Sequence, residues 1–162
     1  MITVGIITAS DKGFSGERAD ESGKLIKSLI WQIDGSVIDY VILPDDRVII
    51  ASAMKRMADE LHADLILSTG GTGFSPRDMT PEATLDVIDR NVPGFAEAMR
   101  ASGMKITPLA MLSRAVSGIR GTTLIINLPG SPKGVKECLE IILPALPHGI
   151  DIMKGRAGEC AR

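Results

Sequence analysis

The chain has 162 residues, 44% hydrophobic and 23% charged, a length and balance that suit one folded domain and lie outside disordered, collagen-like and low-complexity compositions. Eighteen Lys and Arg against 20 Asp and Glu leave a formal charge of −2, and the only aromatics are Phe14, Trp31, Tyr40, Phe74 and Phe95. Neither a basic field for a phosphate backbone nor a base-stacking platform is available, which excludes nucleic acid as a partner class.

Taken in chain order, residues 2–8 are a β-branched, almost continuously apolar run, which predicts a strand buried on both faces of a parallel sheet. A polar loop with Gly13 and Gly16 follows, and Leu25, Ile26, Leu29, Ile30 and Ile33 then recur at helical spacing, with Asp20 or Ser22 as the cap. Residues 37–43 predict a second strand, Pro44, Asp45 and Asp46 its turn, and 47–61 a helix that turns Val48, Ala51, Met54, Met57 and Leu61 inward. A third short strand at 65–67 runs straight into Ser68-Thr69-Gly70-Gly71-Thr72-Gly73. Thr80 and Pro81 read as N-cap and first position of a helix reaching residue 89, and Pro93 and Gly94 open a shorter one through Met99.

Residues 121–128 carry the last strong strand signal, with 114–119 placed to pair with them as a hairpin around Arg120 and Gly121. Pro129, Gly130, Ser131 and Pro132 then break the chain. Val135, Cys138, Leu139, Ile142 and Leu143 predict a final amphipathic helix ended by Pro144, with further helix towards Lys154. One domain over residues 1–155 is expected, with a frayed tail at 156–162. The alternation of strands and helices implies a three-layer α/β domain: a mostly parallel sheet flanked by helices, plus a small hairpin near residues 114–128. Ligands of such sheets bind beyond the carboxyl ends of the strands, and four of those ends are loops rich in Gly, Ser, Thr and Asp, at 10–16, 44–46, 68–78 and 127–132.

Cys138 and Cys160 are too few and too far apart for a disulfide framework or a structural zinc site, and Cys138 reads as core. No apolar run approaches the roughly 18 residues that cross a bilayer, and the N-terminus lacks the basic start of a signal peptide. A cytoplasmic, reduced protein without a membrane partner is expected.

Among candidate sites, the glycines at 70, 71 and 73 let backbone N–H groups approach an anion, although such a loop serves as a structural turn about as often as a phosphate cradle. It is neither a Walker A loop nor a dinucleotide fingerprint. Asp45 and Asp78 follow two strands whose ends a doubly wound sheet can bring to one cleft, the one-or-two-carboxylate arrangement that Mg²⁺ takes with retained waters and phosphate oxygens. Asp46 is better read as a turn or cap residue. His62 and His148 sit in none of the Gly-rich loops, so a catalytic triad is disfavoured. Met99, Met104 and Met111 read as adaptable core, and Lys133 with Lys136 as a solvated helix face.

The stretch Ser68-Thr69-Gly70-Gly71-Thr72-Gly73-Phe74-Ser75-Pro76-Arg77-Asp78-Met79-Thr80-Pro81-Glu82-Ala83-Thr84 resembles the signature of the MogA/MoaB family of molybdenum cofactor biosynthesis, which includes the G domain of gephyrin. Three further segments agree with it: Thr8-Ala9-Ser10-Asp11 with Gly16, Asp20, Ser22 and Gly23; Leu43-Pro44-Asp45-Asp46; and Met111-Leu112-Ser113-Arg114 through Asn127-Leu128-Pro129-Gly130-Ser131-Pro132. A family asparagine is common where this chain has Ser131, which changes the hydrogen bonding available to that loop.

The resemblance implies an α/β domain, often a homotrimer, that binds molybdopterin and works beside other molybdenum cofactor biosynthesis proteins. In MogA-like members it implies Mg²⁺-dependent transfer of AMP from ATP to the terminal phosphate of molybdopterin, with release of pyrophosphate. By matching position, Asp45 and Asp78 correspond to the family's two functional aspartates, which we assign to Mg²⁺ and to orienting the phosphates, and Gly70, Gly71, Thr72 and Gly73 to its anion-binding loop, with Thr69 beside it as a substrate-binding residue. Ser113 corresponds to a substrate-contacting serine, and Ser10, Asp11, Pro129, Gly130 and Ser131 to walls of the binding site, with Arg77 suited to neutralising phosphate charge. A phosphate monoester is already anionic near neutral pH, so no catalytic histidine is required. A non-catalytic pterin carrier of the MoaB kind remains the alternative, and so does a domain of this fold serving another pathway.

Overall fold

The apolar runs at residues 2–9, 65–69 and 123–128 are continuous because both of their faces are covered, whereas residues 35–43 form a half-buried strand at the sheet edge. In the computed structural model, which describes residues 1–156, Ile2–Ala9 (β1), Gly35–Leu43 (β2), Leu65–Thr69 (β3) and Thr123–Leu128 (β6) lie parallel in the order β2-β1-β3-β6. Ser117–Arg120 (β5) and the two-residue strand Arg90–Asn91 (β4) extend that sheet antiparallel, β5 forming the expected hairpin with β6. Cys160 and residues 157–162 of the expected tail lie outside the described residues.

Side-chain alternation along each strand feeds two cores. Val4, Ile6, Leu65, Leu67, Leu124 and Ile126 face the helices Glu21–Leu29 (α2), Pro93–Gly103 (α5), Pro132–Ile142 (α6) and Leu146–Met153 (α7). Ile7, Ile66 and Ile125 face Arg47–Lys55 (α3) and Thr80–Leu85 (α4). A four-residue helix, Asp11–Phe14 (α1), follows β1. Three layers result, as expected, and no helix among the described residues is long and apolar enough to cross a membrane.

Several boundaries differ from the sequence reading. The helix at residue 47 changes to π-helical hydrogen bonding at Arg56–Glu60 before it ends. The fourth helix stops at Leu85 instead of residue 89, because Asp89 N–H donates to the Ile119 carbonyl and Arg90 pairs with Ile119 in the sheet. Its cap position holds Met79, so Thr80 is the first helical residue and not the N-cap. The helix opened by Pro93 continues past Met99 to Gly103. Met99 is core, but Met104 and Met111 are 42% and 58% exposed, since the chain beyond α5 runs over the surface through a 3₁₀ turn at Pro108–Leu112.

Strand order positions the site. The chain places β2 on one side of β1 and then returns to place β3 on the other, so the loops after β1 and β3 diverge from adjacent strand ends and open a crevice there. Gly70 turns out of β3 at φ +89 with its Cα pressed against the end of β1, where a Cβ would overlap the Ala9 carbonyl oxygen. Gly70→Ala therefore combines a left-handed backbone with a backbone collision, and is expected to cost about 2 kcal/mol or more. Gly94→Ala, with no atom within 4 Å, is expected to leave stability unchanged or slightly raised, and thermal unfolding of the two variants beside wild type checks the contrast.

Candidate active site at the carboxyl ends of the parallel strands

The loops after β1, β2, β3 and β6 enclose a polar cleft of about 560 Å³. Asp45, Asp78, Ser10, Thr69, Gly70 and Gly71 line it, together with Gly130 and Ser131 from the last of these loops. Backbone meets backbone across it: a Cβ on Gly130 would lie 3.4 Å from the Gly70 Cα, and Thr69 Oγ1 donates to the Pro129 carbonyl at 2.6 Å. Beside it, an apolar cleft of about 620 Å³ is walled by Met99, Ile106, Leu109 and Leu112. Thr72, Gly73, Ser113 and Pro129 open onto this second cleft, and Ser131 onto both. The sequence-predicted residues are thus divided between two adjoining chambers.

Asp11 and Arg77 line neither chamber. The Arg77 guanidinium grips the Asp11 carboxylate through two bonds of 3.0 and 2.9 Å, and Asp11 and Asp45 exchange bonds in which each backbone N–H donates to the other's side chain at 3.0 Å. The Arg77 bond, followed by the Asp45 N–H, holds the Asp11 carboxyl below the usual range. Asp45 moves the other way: burial raises it, the Asp11 N–H partly offsets this, and the charges of Asp11 and Asp78 raise it further. A carboxylate that is costly to ionise, facing a second carboxylate, is what a cation-binding or phosphate-handling site requires. Asp46 is the expected cap, accepting from Val48 N–H and Ile49 N–H at the start of α3.

Two supporting groups were not singled out as site residues by the sequence. Arg114 donates from Nε to the Gly73 carbonyl at 2.7 Å and from Nη2 to the Asp78 carbonyl at 2.8 Å, while pairing with Glu82. It braces the loop that carries Asp78, whose carboxylate accepts from Ser75 N–H at 3.0 Å. The only signal was its place after Ser113 in the shared motif. The second group is a largely buried network in the cleft wall itself, in which Asp20 accepts from Thr8 Oγ1 at 2.6 Å, from Gly23 N–H at 2.8 Å and from the Tyr40 hydroxyl. Burial first, then the Asp20 contact, pushes the Tyr40 hydroxyl far up. Asp20 is thereby the cap of α2, and Ser22 instead ties α2 to the Gly130 carbonyl at 2.7 Å.

Ser131 caps α6 by accepting from Gly134 N–H at 3.1 Å, so the residue in place of the family's usual asparagine is engaged locally. Cys138 is only half-buried, on the wall of the apolar cleft, where burial pushes its thiol up to about 11. Lys133 and Lys136 pair with Glu137 and Glu140 one turn on, as a solvated face does.

Residues 5–148 match the family described as "Probable molybdopterin binding domain". The chain belongs to the MogA/MoaB family. It is 43% identical over 156 residues to the molybdopterin adenylyltransferase of Helicobacter pylori, covering 95% of this chain and 89% of that one. Among solved structures it is similar to the molybdopterin biosynthesis enzyme MoaB of Thermus thermophilus, at 50% identity, TM-score 0.91 and coverage of 96% and 98%. It is also similar to the molybdopterin biosynthesis Mog protein of Mycobacterium ulcerans, at 38% identity, TM-score 0.88 and coverage of 95% and 97%. Molybdenum cofactor biosynthesis is the function at family level, in an enzymatic or carrier role.

The raised Asp45 carboxyl has a consequence for stability. The folded state holds that proton more tightly than the unfolded chain, so ionising Asp45 at neutral pH works against folding. Asp45→Asn retains an acceptor for Asp11 N–H and removes the charge. The variant is expected to melt above wild type at pH 7, with the difference shrinking as the pH falls towards about 4, which a melting series across pH checks.

Proposed function

We propose that this chain is a Mg²⁺-dependent molybdopterin adenylyltransferase acting as a single domain over residues 1–155. In this reading an oxygen of the pterin's terminal phosphate attacks the α-phosphorus of ATP. The new P–O bond forms as the bond to the β-phosphate bridge breaks, and pyrophosphate leaves. The observation that carries the reading is the opening of Asp45 and Asp78 on one polar cleft with the Gly70-Gly71 loop, next to an apolar chamber.

The residues fit the cation. Two carboxylates form an all-oxygen donor set, and the described residues contain no group of three or more His, Cys, Asp and Glu that could cage a metal. That suits an ion that keeps waters and shares its shell with phosphate. Asp45 and Asp78 would hold it, and when bound it would neutralise charge on the leaving pyrophosphate.

The remaining work belongs to the chain. Backbone N–H groups of the glycine loop and of the α2 and α6 starts receive phosphate oxygens. The apolar chamber takes the flat pterin against Leu109 and Leu112, with Ser113 available for a hydrogen bond. Since the nucleophile is already anionic, these residues need to align two anions and exclude competing water, with no proton to remove. Relatives named as adenylyltransferases support this assignment, and the family relationship supports a homotrimer working beside other molybdenum cofactor biosynthesis proteins.

The test is a single-turnover incubation with molybdopterin, Mg²⁺ and α-labelled ATP, following label on the pterin and pyrophosphate release. Wild type is expected to transfer label, and Asp45→Ala and Asp78→Ala to slow transfer by about 10²–10³-fold while remaining folded. Tight pterin binding without transfer, at saturating nucleotide and metal, would make the protein a carrier. Absence of pterin binding would remove molybdopterin as its ligand.

A further inference from the structure

Thr80 is fully buried, and among the described residues its Oγ1 is the one buried side-chain polar atom without a hydrogen-bond partner. A threonine hydroxyl offers one donor and two acceptor sites, and a buried one left unused is an exception that calls for a cause. The helix explains why no local partner exists. Mid-helix threonines donate to the carbonyl four residues back, as Thr84 Oγ1 does to the Thr80 carbonyl at 2.9 Å, but Thr80 is the first residue of α4 and has no helical turn behind it. Thr84 also accepts from Asn127 at 2.8 Å, so the two threonines of one short helix differ completely in satisfaction.

The Thr80 hydroxyl stands against Gly71, which turns at φ +66 on the wall of the polar cleft. A Cβ on Gly71 would collide with Thr80 Oγ1 and lie 3.3 Å from Asp45 Oδ1, so these two oxygens flank the same point of the backbone. Asp45 Oδ2 is committed to Asp11 N–H at 3.0 Å, which leaves Oδ1 as the carboxylate oxygen not engaged by that bond. An unused donor and a carboxylate oxygen thus both lie close to the point that a Gly71 Cβ would occupy, which glycine leaves open.

We propose that Thr80 is a positioning residue for the functional carboxylate, its hydroxyl donating to Asp45 Oδ1 when the polar cleft is loaded and fixing the orientation in which Asp45 meets the cation. The inference rests on the reading of Asp45 as a cation-associated residue. It also accounts for glycine at 71, because any side chain there would fill the gap the hydrogen bond must close.

The experiment compares wild type, Thr80→Val and Thr80→Ser in the full chain, reading binding of Mn²⁺ alone by loss of its free paramagnetic signal, AMP transfer, and thermal unfolding. Thr80→Val removes the hydroxyl at nearly constant volume, so its melting temperature is expected to equal or exceed that of wild type, while Mn²⁺ affinity and kcat each fall about tenfold or more with the KM for ATP unchanged. Thr80→Ser is expected to restore both. Wild-type Mn²⁺ affinity and turnover in Thr80→Val would overturn the proposal, as would losses in both variants that track a falling melting temperature. If wild type binds Mn²⁺ but transfers no AMP, the proposed reaction fails on its own and the Mn²⁺ titration decides the role of Thr80. If wild type binds no Mn²⁺, this inference falls with its premise.

Discussion

The Ala9 carbonyl oxygen at the end of β1 sets the terms for the rest of the molecule. Because the strand order reverses between β1 and β3, the chain leaving β3 must pass over that oxygen, and the space admits a backbone and no side chain. Gly70 meets the requirement with a left-handed turn, and Gly130 approaches the same crossing from the loop after β6. Strand ends that would otherwise be separated by side chains are thereby packed main chain to main chain, which leaves N–H groups at the surface of a cleft.

That crossing also determines how the carboxylates are held. Asp11 and Asp45, from the loops after β1 and β2, exchange hydrogen bonds, and Arg77 fastens Asp11 from the loop after β3. Three strand ends are joined through one pair of aspartates, which keeps Asp45 near Asp78 despite their repulsion. Arg114 supplies the opposing support from the far side, bonding the carbonyls of Gly73 and Asp78. A partly buried carboxylate and an unsatisfied buried hydroxyl both weaken the folded state, and their occurrence together is the pattern expected where function competes with folding.

Much of the fold was legible because strands buried on both faces leave short continuous apolar runs, and amphipathic helices a 3.6-residue period, that local reasoning can read. The apolar runs at the starts of β1 and β3 and the helical spacing from Val135 to Ile142 predicted elements that are present. The errors arose where tertiary pairing outweighs local pattern. Arg90 and Asn91 carry no strand signal of their own and become a strand because β5 offers an edge, which shortens α4. Met104 and Met111 have core chemistry but follow the helix that reaches the core, and so remain exposed. Asn127 reads as part of an apolar strand, yet it is a fully buried polar junction, donating to Ser68 and Thr84 and accepting from Val116 N–H. No spacing rule announces it.

The sequence by itself determined the class of fold, and it pointed to the loops at the strand ends and to two acidic residues as candidates for chemistry, since these depend on periodicity, glycine placement and residue type along a short stretch of chain. Only the tertiary structure decided that the candidate residues divide between a polar and an apolar chamber, that Arg77 is engaged by Asp11, that Asp20 lies in the cleft wall, and that Arg114 and Thr80 stand behind it. The physical reason is distance along the chain. Asp11 and Asp45 are separated by 34 residues and Gly73 and Arg114 by 41, and contacts of that span are set by strand order, which no local pattern encodes.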